Sequence, residues 1–224
     1  MLDAQQTGTA TDGGDQALTR FEALNADLEL KTRALLNRIV ADDRIHPLFI
    51  NTLSMLEHMG SHKIMATQHG AAIDQPTLKH LAEESNHAFF MKRQAEKAAG
   101  RPLEYRHAEL LVPESARMYF QRLEAGVLRV LGSEDSAPAT YLYMSMLIEF
   151  RAVWFYSLYE QVLKRHAHSM SLKRLLGEER NHLTEMADRL EQDGELNDAR
   201  VEQFLGTEHS LYTRLLDSLH RAVD

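Results

Sequence analysis

Residues 81–87 read LAEESNH, and residues 176–182 read LGEERNH, 95 positions later. Each carries Glu-Glu-x-x-His. Upstream of the first lies SMLE at 54–57, and upstream of the second SMLIE at 145–149. The chain therefore repeats a unit in which one helix supplies a glutamate and the next an ExxH. Residues three apart on a helix share a face, so Glu84 converges with His87, and Glu179 with His182. Two residues of a helical hairpin lie level when the turn is midway between them. Glu57 and the Glu84/His87 pair have their midpoint beside Gly70. Glu149 and the Glu179/His182 pair have theirs near residue 165. Packed together, the hairpins place Glu57, Glu84, Glu149, Glu179, His87 and His182 in one core.

The rest of the chain fits this frame. Apolar residues recur at helical period from 16 to 40, with Phe21, Leu24, Leu28, Leu35 and Ile39 on one face. Pro47, Pro76, Pro113 and Pro138 suit first turns, where a missing N–H costs nothing. The spacing predicts helices over about 47–68, 76–99, 113–131, 139–165, 169–190 and 197–222. Turns fall near 70 and 167, and a longer connection spans 100–136. Within it, residues 101–112 are ambiguous. No stretch alternates with the period of a strand. The fold class is all-α, with residues 16–224 forming one domain and residues 1–15 a flexible tail poor in apolar residues.

Composition narrows the chemistry. The 224 residues carry a formal net charge of −8 and no cysteine. Disulfides, thiolate zinc sites, cysteine-ligated iron–sulfur clusters and cysteine nucleophiles are excluded. The acidic balance argues against a nucleic-acid partner. No segment has the apolar length of a membrane helix, and the start lacks the features of a secretory signal. A cytoplasmic location is expected.

Four carboxylates in a core need protons or cations to neutralise them. Two divalent ions balance four carboxylates, and mixed oxygen and nitrogen ligation suits iron or manganese. A lone ExxH arises about once by chance in a chain of this composition. A third match, Glu104-x-x-His107, has no partner glutamate one helix away and is read as that chance one.

Glu57…Glu84-x-x-His87 followed by Glu149…Glu179-x-x-His182 resembles the ferritin-like di-iron carboxylate superfamily over roughly residues 47–192. The resemblance implies a four-helix bundle of two antiparallel hairpins joined by a long crossover. The first helix, the crossover helix and the last helix would be additions to it. It implies that Glu57, Glu84 and His87 hold one ion and Glu149, Glu179 and His182 the other, with Glu84 and Glu179 as bridges.

Other residues have two readings. Glu160 lies three turns after Glu149 on the same face and is the alternative ligand. His80 precedes Glu84 by one turn; in relatives resembling N-oxygenases a histidine so placed is a third imidazole ligand, and otherwise it is a polar residue at the bundle edge. Glu83 and Glu178 either face solvent or hold the distal N–H of a ligand imidazole. Tyr156, two turns after Glu149, is a core residue or a phenol beside the metals. His58 and His62 sit well round the helix from Glu57 and read as packing or surface residues.

The resemblance implies an oxygenase or oxidase that uses O2 at two iron ions, or manganese or a mixed pair, to oxidise a small organic substrate. A ferredoxin or reductase would supply electrons. A homodimer is expected on general grounds. Alternatives are a ferritin-type iron-handling protein, a peroxide scavenger of rubrerythrin or manganese-catalase type, a haem-oxygenase-like di-iron oxidase and a metal-free helical binding protein.

Overall fold

The computed structural model describes residues 12–67, 73–132 and 137–224, which are all-helical apart from short connections and one 3-10 turn. The helices are α1 (Asp12–Leu24), α2 (Ala26–Ala41), α3 (Ile45–Thr67), α4 (Gln75–Ala99), α5 (Pro113–Leu131), α6 (Ala137–Arg165), α7 (Lys173–Gln192) and α8 (Asp198–Val223). The 3-10 turn, His107–Glu109, is the regular part of the ambiguous 101–112 segment.

α3 packs along α4, and α6 along α7. Both pairs run antiparallel, because partners rise along one helix as they fall along the other. Asn51 meets Lys92, and Ser54 meets the Ala88 carbonyl. The two pairs meet through α3 against α6 and α4 against α7. The expected turn near residue 70 lies outside the described residues. α6 touches α1, α2, α3, α5, α7 and α8. Its sequence explains this central place: Tyr141 to Leu163 is apolar on nearly every face, as a surrounded helix must be. α5, from the long connection, packs on α8.

Local chemistry sets the ends. Asp74 caps α4 by accepting the Thr77 N–H at 2.7 Å, with Pro76 in the first turn. Gly100 and Gly132 end α4 and α5 in left-handed backbone (φ 65° and 80°), which glycine adopts without a Cβ penalty.

Three expectations need correction. The helix over 16–40 is two helices, divided at Asn25. This residue is fully buried; its Nδ2 donates to the Phe21 carbonyl at 2.9 Å and its Oδ1 accepts from Arg151 Nη2 at 2.7 Å. The side chain competes with the backbone, and the contact with Arg151 outweighs helix continuity. Residues 12–15 belong to α1 rather than to the tail; residues 1–11 lie outside the described residues. α7 begins at Lys173 rather than 169, because the Glu160 carboxylate accepts the Leu172 N–H at 2.6 Å and fixes the start there. Among the described residues, no helix is long and apolar enough to cross a membrane.

Candidate metal centre

The repeat unit meets itself at the contact between the two helix pairs. α3 supplies Glu57, α4 supplies His80, Glu84 and His87, α6 supplies Glu149, and α7 supplies Glu179 and His182. Their donor atoms form two groups, each within 4.8 Å. One contains His80, Glu84, Glu149 and His182; the other contains Glu57, Glu84, His87 and Glu179. Glu84 belongs to both. This grouping differs from a division by halves, since each group draws on both helix pairs.

The donor atoms converge closely. His182 Nδ1 lies 3.6 Å from Glu84 Oε1, 3.5 Å from Glu149 Oε1 and 3.2 Å from Glu179 Oε2. His87 Nδ1 lies 3.6 Å from Glu84 Oε1 and 3.3 Å from Glu179 Oε1. His80 Nε2 lies 3.2 Å from Glu149 Oε1. Donors about 2.1 Å from a shared ion stand roughly 3.0–3.5 Å apart. The two oxygens of Glu179 lie near His87 and His182 respectively, although Glu179 belongs to one group and only Glu84 to both.

Two atoms at the centre test the fit of an ion. Glu84 Oε1 and His87 Nδ1 are buried without a hydrogen-bond partner among the described residues. A buried polar atom left unpaired is costly, and a divalent cation accepts both lone pairs at once. The donor set of carboxylate oxygens and imidazole nitrogens fits a first-row metal.

The outer nitrogens of both histidines are anchored crosswise. His182 Nε2 lies 2.8 Å from Glu83 Oε2, and His87 Nε2 lies 3.0 Å from Glu178 Oε2. The residue preceding each central glutamate thus holds the histidine of the opposite helix pair. Such a carboxylate keeps the proton on Nε2, so Nδ1 is the nitrogen that would meet an ion once its own proton is lost. His80 is held from its other nitrogen by Tyr141, 3.0 Å away.

Electrostatics follow from this crowding. Burial disfavours charge on His80, His87 and His182, but the adjoining carboxylates outweigh it and push them up to about 11, 9 and 9. Burial favours a neutral Glu84, yet His80 and His87 hold it well below the usual carboxylate range. Burial and the charge of Glu84 push Glu57 up to about 8. Burial, with the charges of Glu149, Glu84 and Glu57, raises Glu179 too.

Tyr156 reaches the cluster: its hydroxyl donates to Glu57 Oε1 in a short hydrogen bond. A cavity of about 100 Å³ between α3, α5, α6 and α8 reaches Glu57 and Tyr156. A second, of about 80 Å³, between α3, α4, α5 and α6, reaches His80, Glu84 and Glu149. Gly60 lines it, and a Cβ there would stand 3.3 Å from Glu84 Oε2.

Glu160 is not brought to this cluster. It is buried, but its oxygens accept from Ser171 Oγ and the Leu172 N–H, and it pairs with Lys164. His58 and His62 are exposed and pack on each other. Glu104 and His107 are exposed in the connection. Sequence reasoning missed Tyr141 and the buried pair of Arg151 with Glu208. Tyr141 could have been found, since Tyr141, Glu149 and Tyr156 lie eight and seven residues apart and share one face of α6. Comparison of the chain with protein-family models, curated proteins and solved structures returns no match.

Proposed function

We propose that the chain is a ferritin-like, dinuclear-metal oxidoreductase that uses O2 to oxidise a small organic molecule. The observation that carries this reading is the pair of overlapping donor groups sharing Glu84, with their histidines anchored by Glu83 and Glu178. Glu57, Glu84, His87 and Glu179 would hold one ion, and His80, Glu84, Glu149 and His182 the other. Two iron ions, two manganese ions or one of each, when bound, supply the electrons and open positions for reaction with O2.

The chain's own residues set the conditions. Glu83 and Glu178 hold protons on the outer histidine nitrogens, so the inner nitrogens are the ones that would lose theirs to an ion. Tyr156 donates to Glu57 and fixes the orientation of that carboxylate. Apolar walls around the Glu57 side keep bulk water away, which strengthens every charge interaction there. No cysteine is present to carry a second redox group by thiolate ligation, so electrons for repeated turnover would come from an external donor.

The test is metal content after anaerobic reconstitution with excess Fe(II) and desalting. Two irons per wild-type chain, lost in Glu84→Ala and in Glu179→Ala, are expected. A folded wild type that retains none overturns the reading.

A further inference from the structure

The cavity between α3, α4, α5 and α6 is walled by residues of very different exposure. The side chains of His80, Glu84 and Glu149 are 2%, 8% and 4% exposed. Lys63 of α3 and Glu124 of α5 pair at 2.6 Å on the same cavity and are 36% and 38% exposed. The cavity thus joins a partly exposed ion pair to three of the buried donors. We infer that it is the entry route of the divalent cation, and that Glu124 is the first carboxylate the ion meets, held by Lys63 until the ion takes it over. The route rests on the metal reading above.

Shape and charge both suit an ion. Along α6 the wall runs from Glu149 through Ser145 and Tyr141 to Thr140, about 13.5 Å of helix axis at about 1.5 Å per residue. Its charged side chains are Glu84, Glu124 and Glu149 against Lys63 and His80, so carboxylates prevail even with His80 protonated. A cleft of one prevailing sign concentrates the opposite ion. The volume of about 80 Å³ has room for roughly two or three waters at about 30 Å³ each, part of the shell of an ion. Gly60 keeps the inner end clear, since a Cβ there would stand 3.3 Å from Glu84 Oε2. An ion pair as exposed as Lys63–Glu124 is worth little, so a divalent ion displaces Lys63 without a large barrier.

Two other cavities touch cluster residues and suit an ion less. The one on the Glu57 side offers that single carboxylate among mainly apolar walls, with Arg151 beside it. An ion there would lose its water with little in return. The hollow outside His87 is flanked by Arg93 and Arg174, which repel a cation, and it reaches His87 on the side that Glu178 holds.

The test is zinc uptake by the metal-free full-length chain, followed in stopped flow with a fluorescent zinc indicator. Zinc retained after desalting is read on the same samples. Glu124→Gln leaves Lys63 alone at the mouth and should slow uptake about tenfold; Lys63→Met frees Glu124 and should speed it about tenfold. Both variants should retain as much zinc as the wild type, because neither residue is a donor. Glu114→Gln is the control: it removes the same charge from α5, also from an ion pair with a cationic side chain, and should leave the rate unchanged. Opposite changes at one ion pair cannot come from misfolding. Retained zinc with wild-type rates in both variants, with both variants slowed, or with Glu114→Gln slowed as much as Glu124→Gln overturns the route and leaves the metal reading standing. A folded wild type that retains no zinc overturns the metal reading, and the route with it.

Discussion

His182 on α7 is held at 2.8 Å by Glu83, the residue that precedes the shared glutamate of α4. The reverse bond, His87 to Glu178, is 3.0 Å. Each anchor therefore holds a histidine that lies across the interface from the glutamate following the anchor in sequence. Glu83→Ala and Glu178→Ala should each weaken metal binding about 10–100-fold while leaving two ions per chain at saturation. A competition titration against a chromophoric chelator measures this. Unchanged affinity would mean that the anchors leave the imidazoles unaffected.

The imidazoles also set a pH dependence. His87 and His182 are pushed up to about 9 by the surrounding carboxylates, which outweigh burial, whereas an unfolded chain has histidines near about 6.5. A group raised on folding stabilises the metal-free protein fully below the unfolded value. That contribution is lost as pH rises through about 9. A metal needs the same nitrogens unprotonated. Zinc binding at pH 7 should therefore release at least about three protons per chain, from His80, His87 and His182, with Glu57 and Glu179 adding to them, read in a pH-stat. The rise in Tm on adding zinc should be larger at pH 8.5 than at pH 6.5.

Glu160 separates a structural carboxylate from a ligand. Glu160→Ala leaves the buried Leu172 N–H without its acceptor and should cost roughly 1–3 kcal/mol in denaturant unfolding. Its metal stoichiometry should equal that of the wild type. Glu149→Ala should show the opposite pattern, with metal lost.

Glu208 sits fully buried against Arg151, and Tyr119 donates to it at 2.6 Å. Removing one partner strands the other charge, so Glu208→Ala should destabilise by about 3–5 kcal/mol. The double change Arg151→Met with Glu208→Leu removes both charges and should recover most of that loss. Urea unfolding of the three proteins checks the ordering.

The helices and the cluster were legible for one reason: helical period and hairpin geometry are local rules. The 27-residue spacing from Glu57 to Glu84 and the apolar run of α6 needed no tertiary knowledge. What escaped depends on long-range partners. Asn25 breaks a helix only because Arg151, 126 residues away, takes its oxygen. Glu160 and Glu149 share a face and could not be ranked by spacing; the backbone of the α6–α7 connection takes one and the cluster takes the other. His80 acquires its place from Tyr141, on another helix.

The shared membership of Glu84 has a consequence for how the molecule comes together. Neither half of the chain contains a complete donor group: one needs Glu149 and His182 beside Glu84, and the other needs Glu179. On the proposed reading, a half-length fragment would offer an ion at most three of the four donors of one group. Completion of both donor groups would then report the docking of the two halves on each other.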